Sequence, residues 1–284
     1  MFLRMLNAIL VSKIDESDNK LVDDIVYGDI KEVEEAIKSH ILEHTNFWSS
    51  IGYSLLANAA KADVADLLKL ILKHANVNDV ASHPRLRNLL LLACIKEHVE
   101  IVQVLLEFGF DPNKIGKDLY GDKRRCLAYV CKKENSALAA VLLKHGADPN
   151  LYRPDECPPL LSASSSFAIV KLLLAHGAKV DLVPLGFCSA LCYACYEANS
   201  EVAKVLLEYG SDVNIVNSDG DTPLICAVQH SSNEGAVPLI KLLLEHGADP
   251  SIVNNKGKTA LDYVTKDSDI AKQIADAQLE HILK

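Results

Sequence analysis

The chain has 284 residues, 49% of them apolar, so it can bury a substantial core and lacks the composition of a disordered polymer. Its formal charge of -9 and pI near 5.6 oppose a whole-protein attraction to nucleic acid or acidic membranes. Eight cysteines are too few for a disulfide scaffold at this length and form no paired CxxC set, so reduced thiols in a cytoplasmic setting are expected.

Residues 1–20 read as an N-terminal capping segment that packs on the first helix pair. The apolar stretch from Met5 to Val11 is short for the core of a signal peptide and is succeeded by acidic residues, although an export or membrane-surface signal stays open. No other window approaches the roughly 20 apolar residues of a membrane span. That first helix pair runs from Leu21 to His40, with Gly28-Asp29-Ile30 in its turn. A second, Tyr53 to Asn78, carries Ala75 where later pairs carry glycine.

From here one helix ending recurs: LLEFGFDPN at 105–113, LLKHGADPN at 142–150, LLAHGAKVD at 173–181, LLEYGSDVN at 206–214 and LLEHGADPS at 243–251. Its glycines, Gly109, Gly146, Gly177, Gly210 and Gly247, stand 37, 31, 33 and 37 residues apart, a period that marks a repeat array. Upstream of each lies an apolar pattern of helical period, such as Ile101, Val102, Leu105 and Leu106. The glycine then supplies the left-handed residue that ends a helix without a Cβ clash. Pro158-Pro159-Leu160, Ser189-Ala190-Leu191, Thr222-Pro223-Leu224 and Thr259-Ala260-Leu261 open the preceding helices, through a hydroxyl cap or a proline in the first turn. Leu90, Leu127 and Leu191 each lie 19 residues before their glycine.

These landmarks resemble the ankyrin repeat family, whose units read like TPLHxAA, then GHxEIVxxLLxxGADxN, then a hairpin loop. The segments Ser189 to Asn214, Asn214 to Leu224 and Ile252 to Leu261 carry the likeness most clearly. The resemblance implies an all-α solenoid of stacked helix-turn-helix units with projecting hairpin loops. It covers residues 21–284 as seven repeats plus a shortened C-terminal capping helix pair. In such a stack no unit buries its own apolar face, so neighbours bury each other's.

Departures from the period are where individuality is expected. The segment between Gly109 and Leu127 is 18 residues long against 14 in the later loops. The pair between Leu160 and Gly177 is two residues short, and that between Leu224 and Gly247 is four residues long. From Lys114 to Lys133 the chain holds seven Lys or Arg and two Asp, a local charge of +5. That segment reads either as a solvated loop or as a basic docking surface. By the resemblance, first-helix ends face a concave groove, which places Lys96, Lys132, Lys133, Tyr196 and Glu197 there with Ile95, Ser165, Ser166, Gln229 and His230. Hairpin tips add Tyr120, Lys123, Arg124, Arg125, Tyr152, Arg153, Leu185 and Phe187, and aromatics and Arg are the residue types that anchor interfaces. Cover for the Leu185-Gly186-Phe187 tip can come from a partner or from its neighbours.

No catalytic motif is present, and no cofactor or metal site is expected. Cys188, Cys192 and Cys195 have helical spacing and could begin a zinc site, but Cys195 aligns with Cys94 and Cys131 at a position that needs a small apolar side chain, so packing is the preferred reading. Histidines 74, 145, 176 and 246 recur beside the glycine and are expected to meet helix-end carbonyls. Asparagines 113, 150 and 214 are expected to hold their own tight turns. The expected function is a non-catalytic scaffold or adaptor, monomeric, binding a partner protein through groove and hairpin tips. A bacterial effector acting on a host protein in the host cytosol fits the Lys-rich composition, as does a eukaryotic cytosolic protein. The alternative is a binder of an acidic ligand, whether phosphorylated partner, nucleic acid or anionic lipid, through 114–133, with nucleic acid disfavoured by the overall charge.

Overall fold

A computed structural model of the chain describes residues 65–73, 88–117, 121–153, 156–184, 186–229, 236–265 and 268–282. The expected capping segment and first helix pair lie outside these. The chain divides into two compact units, Met1–Val130 with Ala140–Ala147, and Cys131–Ala139 with Asp148–Lys284.

The first unit contains α1 (Ala65–Lys73), α2 (Leu89–Ile95) and α3 (Val99–Glu107). Helix α2 reads LLLLACI and buries Leu89, Leu90, Leu91, Ala93 and Cys94, so it needs cover on more than one side. Helix α3 is amphipathic, with Ile101, Val102, Val104, Leu105 and Leu106 inward and Glu100, Gln103 and Glu107 outward. It packs on both α1 and α2. The second cover for α2 comes from the enlarged loop, which folds as an antiparallel ribbon of β1 (Ile115–Lys117) and β2 (Lys123–Arg125). Ile115 pairs with Arg125, Gly116 with Arg124 and Lys117 with Lys123. Gly116 sits so close to Leu91 that a Cβ would come within 2.9 Å of its side chain, which is why glycine is required there. The Lys117 amide donates to Asn88 Oδ1 at 2.8 Å. The insertion is therefore docked on the helix whose apolar surface it completes.

Helices α4 (Cys126–Lys132) and α5 (Ser136–Lys144) cross from one unit into the other. The second unit continues with α6 (Pro159–Ser162), α7 (Phe167–Ala175), α8 (Ala190–Tyr196), α9 (Ser200–Glu208), α10 (Pro223–Gln229), α11 (Ala236–Glu245), a 3₁₀ helix (Ala260–Tyr263) and α12 (Asp269–Ile282). The two missing residues are taken from α6, which is one turn. In the last pair the 3₁₀ turn replaces the first helix, while α12 extends over 14 residues. Side-chain caps start these elements where the landmark triplets indicate: Ser189 Oγ accepts from the Cys192 amide at 3.0 Å, and Thr222 Oγ1 from the Ile225 amide at 3.2 Å. At the 3₁₀ helix, Asp262 Oδ2 accepts from both the amide and the hydroxyl of Thr259, the reciprocal part of a capping box. Leu173, Leu191, Leu206, Ile240 and Leu243 have no exposed surface and sit at the centre of this unit's core.

The recurring helix ending does more than stop a helix. At Asp111, Asp148 and Asp212 the carboxylate Oδ1 accepts the amide two residues on, at 2.8, 2.8 and 2.9 Å. The aspartate, not the asparagine, holds the local turn. The asparagine is thereby released to reach the next repeat. Nδ2 of Asn113, Asn150 and Asn214 donates to the carbonyls of Gly146, Gly177 and Gly247 at 3.0, 2.9 and 3.4 Å. Oδ1 of Asn150 and Asn214 also accepts the amides of Lys179 and Asp249, both at 2.8 Å. Asp181, which has no side-chain donor, replaces asparagine in one copy. It accepts the Asp212 amide at 2.9 Å and the hydroxyl of Ser211 at 2.6 Å, so serine at 211 restores a second link. Asn150→Ala, which removes both links of one copy, is expected to cost about 1–3 kcal/mol, read as a lowered urea midpoint.

Among the described residues, three turns between paired helices place a residue other than glycine in the left-handed region, Glu97 at φ 60°, Glu134 at φ 56° and Ala198 at φ 55°. Glu134 has a compensating role, since its Oε1 accepts the Ser165 hydroxyl at 2.6 Å. Ala198 has no side-chain polar atom with which to do so. Ala198→Gly is expected to stabilise the fold by about 0.5–1 kcal/mol, because relief of left-handed strain exceeds the entropy that glycine loses. The check is a raised melting temperature.

Candidate protein-binding surface

The residues expected at the binding surface fall in both units. In the first, Lys96 is exposed at the end of α2 and Lys123 on β2. Arg124 and Arg125 are half-buried. Arg124 Nη2 lies 3.1 Å from Asp122 Oδ2, and Arg125 Nη1 donates to the backbone carbonyl of Asn113. Arg125 Nε is buried without a hydrogen bond. Arg125 thus ties the ribbon to the turn before it. A cleft beside the ribbon, lined by Leu90, Leu91, Phe110, Asp111, Lys114 and Gly116, encloses only about 80 Å³. Small-molecule sites need roughly 300–1,000 Å³.

In the second unit Lys132, Lys133, Phe187, Tyr196 and Glu197 are exposed, while Tyr152 and Arg153 are half-buried. Tyr120, Leu185 and His230 lie outside the described residues. The basic run 114–133 therefore divides, with Lys114, Lys117, Lys123, Arg124 and Arg125 in one unit and Lys132 and Lys133 in the other. Ile95 and Gln229 are half-buried at the ends of α2 and α10, whereas α6 stops at Ser162 and half-buried Ser166 stands just before α7. Ser165 is exposed, and its carbonyl accepts from Asn199 Nδ2 at 3.3 Å. Glu134, Ser165 and Asn199 consequently link three successive inter-helix turns.

Two features escaped the reading of the sequence. Tyr193 is 37% exposed and stacks on Tyr196, itself 47% exposed, with ring centroids 6.4 Å apart and planes at 28°. The signal was available: two aromatics three apart on a helix whose other residues, Ala190, Leu191, Cys192, Ala194 and Cys195, are all buried. The second feature is a valine in register. Val183, Val216 and Val253 each stand six residues after their glycine and are 38%, 46% and 55% exposed. Repetition of one apolar residue at an exposed hairpin position would have identified it.

The family model described as "Ankyrin repeats (3 copies)" matches residues 163–253 and 191–282, and that described as "Ankyrin repeat" matches 85–114. The chain belongs to the ankyrin repeat family. A "Putative ankyrin repeat protein" of Rickettsia bellii (strain RML369-C) is 46% identical over 44 residues, which is 16% of this chain and 26% of that one. The chain is thus matched to only about a quarter of that relative's length. Among solved structures, the human ASB11 ankyrin repeat domain is 29% identical, with a TM-score of 0.59, over 78% of this chain and 96% of the other. The ankyrin repeat domain of Bcl-3, a member of the IkappaB protein family, is 24% identical, with a TM-score of 0.63, over 78% and 97%, and it shares the fold. The fold class is accordingly an all-α ankyrin-repeat solenoid. Ankyrin repeats are generally protein–protein interaction modules, and proteins of the family are typically non-catalytic. No described helix is long and apolar enough to cross a membrane.

The cysteines are free thiols, most of them in the core. Cys94, Cys126, Cys131, Cys192, Cys195 and Cys226 are buried, whereas Cys157 and Cys188 are half-buried. Cys192 stands where the TPLHxAA pattern has histidine, and its Sγ donates to the Ile215 carbonyl of the hairpin at 3.6 Å. Among the described residues no three His, Cys, Asp or Glu are grouped to hold a metal. Histidines 176 and 246 each place Nδ1 2.8 Å from a carbonyl four residues back, those of Leu172 and Leu242. His74 lies outside the described residues.

Burial pushes the Cys131 thiol up to about 12. Burial, with the neighbouring Cys192, pushes Cys188 up to about 11. Burial also raises Cys157, against an opposing pull from the Lys132 ammonium. Because the thiolate is the nucleophile, iodoacetamide at pH 7.5 is expected to label Cys157 and Cys188 first and the six buried thiols only after denaturation. Cys188, with on the order of 100-fold less thiolate than an ordinary cysteine, is expected to react slowly and to accelerate as pH rises. Peptide mapping by mass spectrometry reads the order.

Proposed function

We propose that the chain is a non-catalytic scaffold or adaptor that binds a partner protein through the exposed first-helix ends and hairpin tips of its repeats. The observation that carries this reading is α8. A helix packed on five of its seven residues turns both of its large aromatics outward and ends in an exposed carboxylate at Glu197. Exposed aromatics cost solvation unless something covers them, and they are the anchors from which interfaces draw most of their energy. Lys132 and Lys133 in the same unit supply charge that steers and selects a partner more than it adds affinity. Phe187, Tyr152 and Arg153 extend the surface, and Lys96 and Lys123 are the corresponding contacts of the first unit.

The competing use of 114–133 for an acidic ligand is less favoured by the side chains. Arg124 is paired with Asp122, and Arg125 is half-buried with Nη1 donating to the Asn113 carbonyl. A reducing compartment suits the buried thiols, and the Rickettsia relative is in keeping with a bacterial protein that acts in host cytosol. The test is affinity capture from lysate of wild type beside Tyr196→Ala/Glu197→Lys and Lys123→Glu/Arg124→Glu variants, with and without nuclease. A protein partner lost with the first variant and insensitive to nuclease is expected. Capture lost with the second variant and abolished by nuclease would establish the acidic-ligand reading instead.

A further inference from the structure

We propose that the row of inter-helix turns in the second unit docks a partner segment in one direction, with acidic side chains at Lys132 and Lys133 and a basic side chain at Glu197. This rests on the protein-binding reading and names the charge order of the partner at that surface. Hydrogen bonds make the row continuous. Glu134 Oε1 accepts the Ser165 hydroxyl at 2.6 Å, and Asn199 Nδ2 donates to the Ser165 carbonyl at 3.3 Å. Lys132 and Lys133 immediately precede Glu134, and Glu197 stands two residues before Asn199. The lysines and the glutamate therefore lie at opposite ends of one bonded line, and all three are exposed.

The middle of the line carries no charge. Its turn reads Ala163-Ser164-Ser165-Ser166, in which Ser164 is buried and donates its hydroxyl to the Leu161 carbonyl at 2.6 Å. At the first turn two ammonium groups stand side by side, and the carboxylate next to them is directed to Ser165 instead. Among the described residues neither lysine forms an ion pair, and nor does Glu197. The second helices of the same unit are built otherwise. Lys204 faces Glu208 at 4.0 Å and Lys241 faces Glu245 at 3.8 Å, each one helical turn away.

Distance prevents the turns from neutralising one another in that way. Packed helices lie roughly 8–10 Å apart, so two steps along the row separate Lys132 and Lys133 from Glu197 by about 16–20 Å. Charges that far apart are screened from each other by physiological salt, whose Debye length is about 8 Å. Each end is left to a complementary charge from outside. A wholly acidic segment gains at the lysines and is repelled at Glu197, and a wholly basic one does the reverse. A segment with acid and base about 16–20 Å apart gains at both ends and, turned round, loses at both, so like-charge contact rejects the wrong orientation. That span is about five or six residues of extended chain, or about 11–13 of helix.

The test selects phage-displayed random 16-residue peptides on the full chain and on Lys132→Glu/Lys133→Glu/Glu197→Lys, whose surface substitutions are expected to leave the melting temperature unchanged. Wild type is expected to enrich peptides with Asp or Glu towards one end and Lys or Arg towards the other, at one of those spacings. A synthetic peptide of the enriched sequence is expected to bind the reversed variant at least about tenfold more weakly, and the same peptide with acids and bases exchanged to prefer the variant. Glu197→Lys alone is expected to remove the preference for a basic residue and keep that for acidic ones. Selection without this charge order, a peptide that binds wild type and reversed variant equally, or no enrichment at all, overturns the proposal. Partner capture by wild type is independent of this outcome, so capture intact without charge order removes the oriented docking and leaves the binding function standing.

Discussion

Everything in this fold depends on how one helix hands the chain to the next repeat. The left-handed glycine ends the helix, the aspartate two residues on closes the turn, and the asparagine after it hydrogen-bonds the corresponding glycine carbonyl of the following unit. The division of labour is enforced by chemistry. A carboxylate accepts but cannot donate, so it serves a turn that offers an amide, while a carboxamide does both and can bridge to a neighbour that offers a carbonyl and an amide. Where the chain breaks this rule, at Asp181, it changes the neighbour as well, and Ser211 supplies the donor.

The same constraint explains where variation is tolerated. Residues between the asparagine of one unit and the capped helix of the next are free to vary as long as both anchors hold. In the first unit that interval is enlarged and has been made into a ribbon, seated on Leu91 by Gly116 and fastened by Asn88. A cluster of basic residues is thereby given a fixed backbone, but the Arg124 charge is set against Asp122 and Arg125 is turned back onto the Asn113 carbonyl. Local charge density is a poor measure of what a surface offers when the charged groups also hold that surface in place.

The second unit presents its chemistry differently. Helix α8 is one of the most deeply packed elements, yet its two tyrosines and the following glutamate are turned outward. Rigidity behind a chemically varied face is what a binding scaffold needs, because the ordering of the contact residues is complete before a partner arrives. The inter-helix turns add to that rigidity through Glu134, Ser165 and Asn199.

The sequence by itself determined the repeat, its period, its helix starts and stops, and hence the family and fold class, because those depend on residues that act locally: glycine at a left-handed position, hydroxyl caps, proline in a first turn, and leucines at helical spacing. It also indicated Tyr196, Glu197, Lys132 and Lys133 as exposed, since a position in the repeat fixes which way a side chain points. It did not reveal that Asn113, Asn150 and Asn214 reach roughly one repeat forward, that Arg125 turns back onto Asn113, or that Tyr193 joins Tyr196. Only the tertiary structure decided these, because a hydrogen bond to a carbonyl some 30 residues away, or the outward choice of one aromatic on a buried helix, is set by what the neighbouring repeat leaves unfilled.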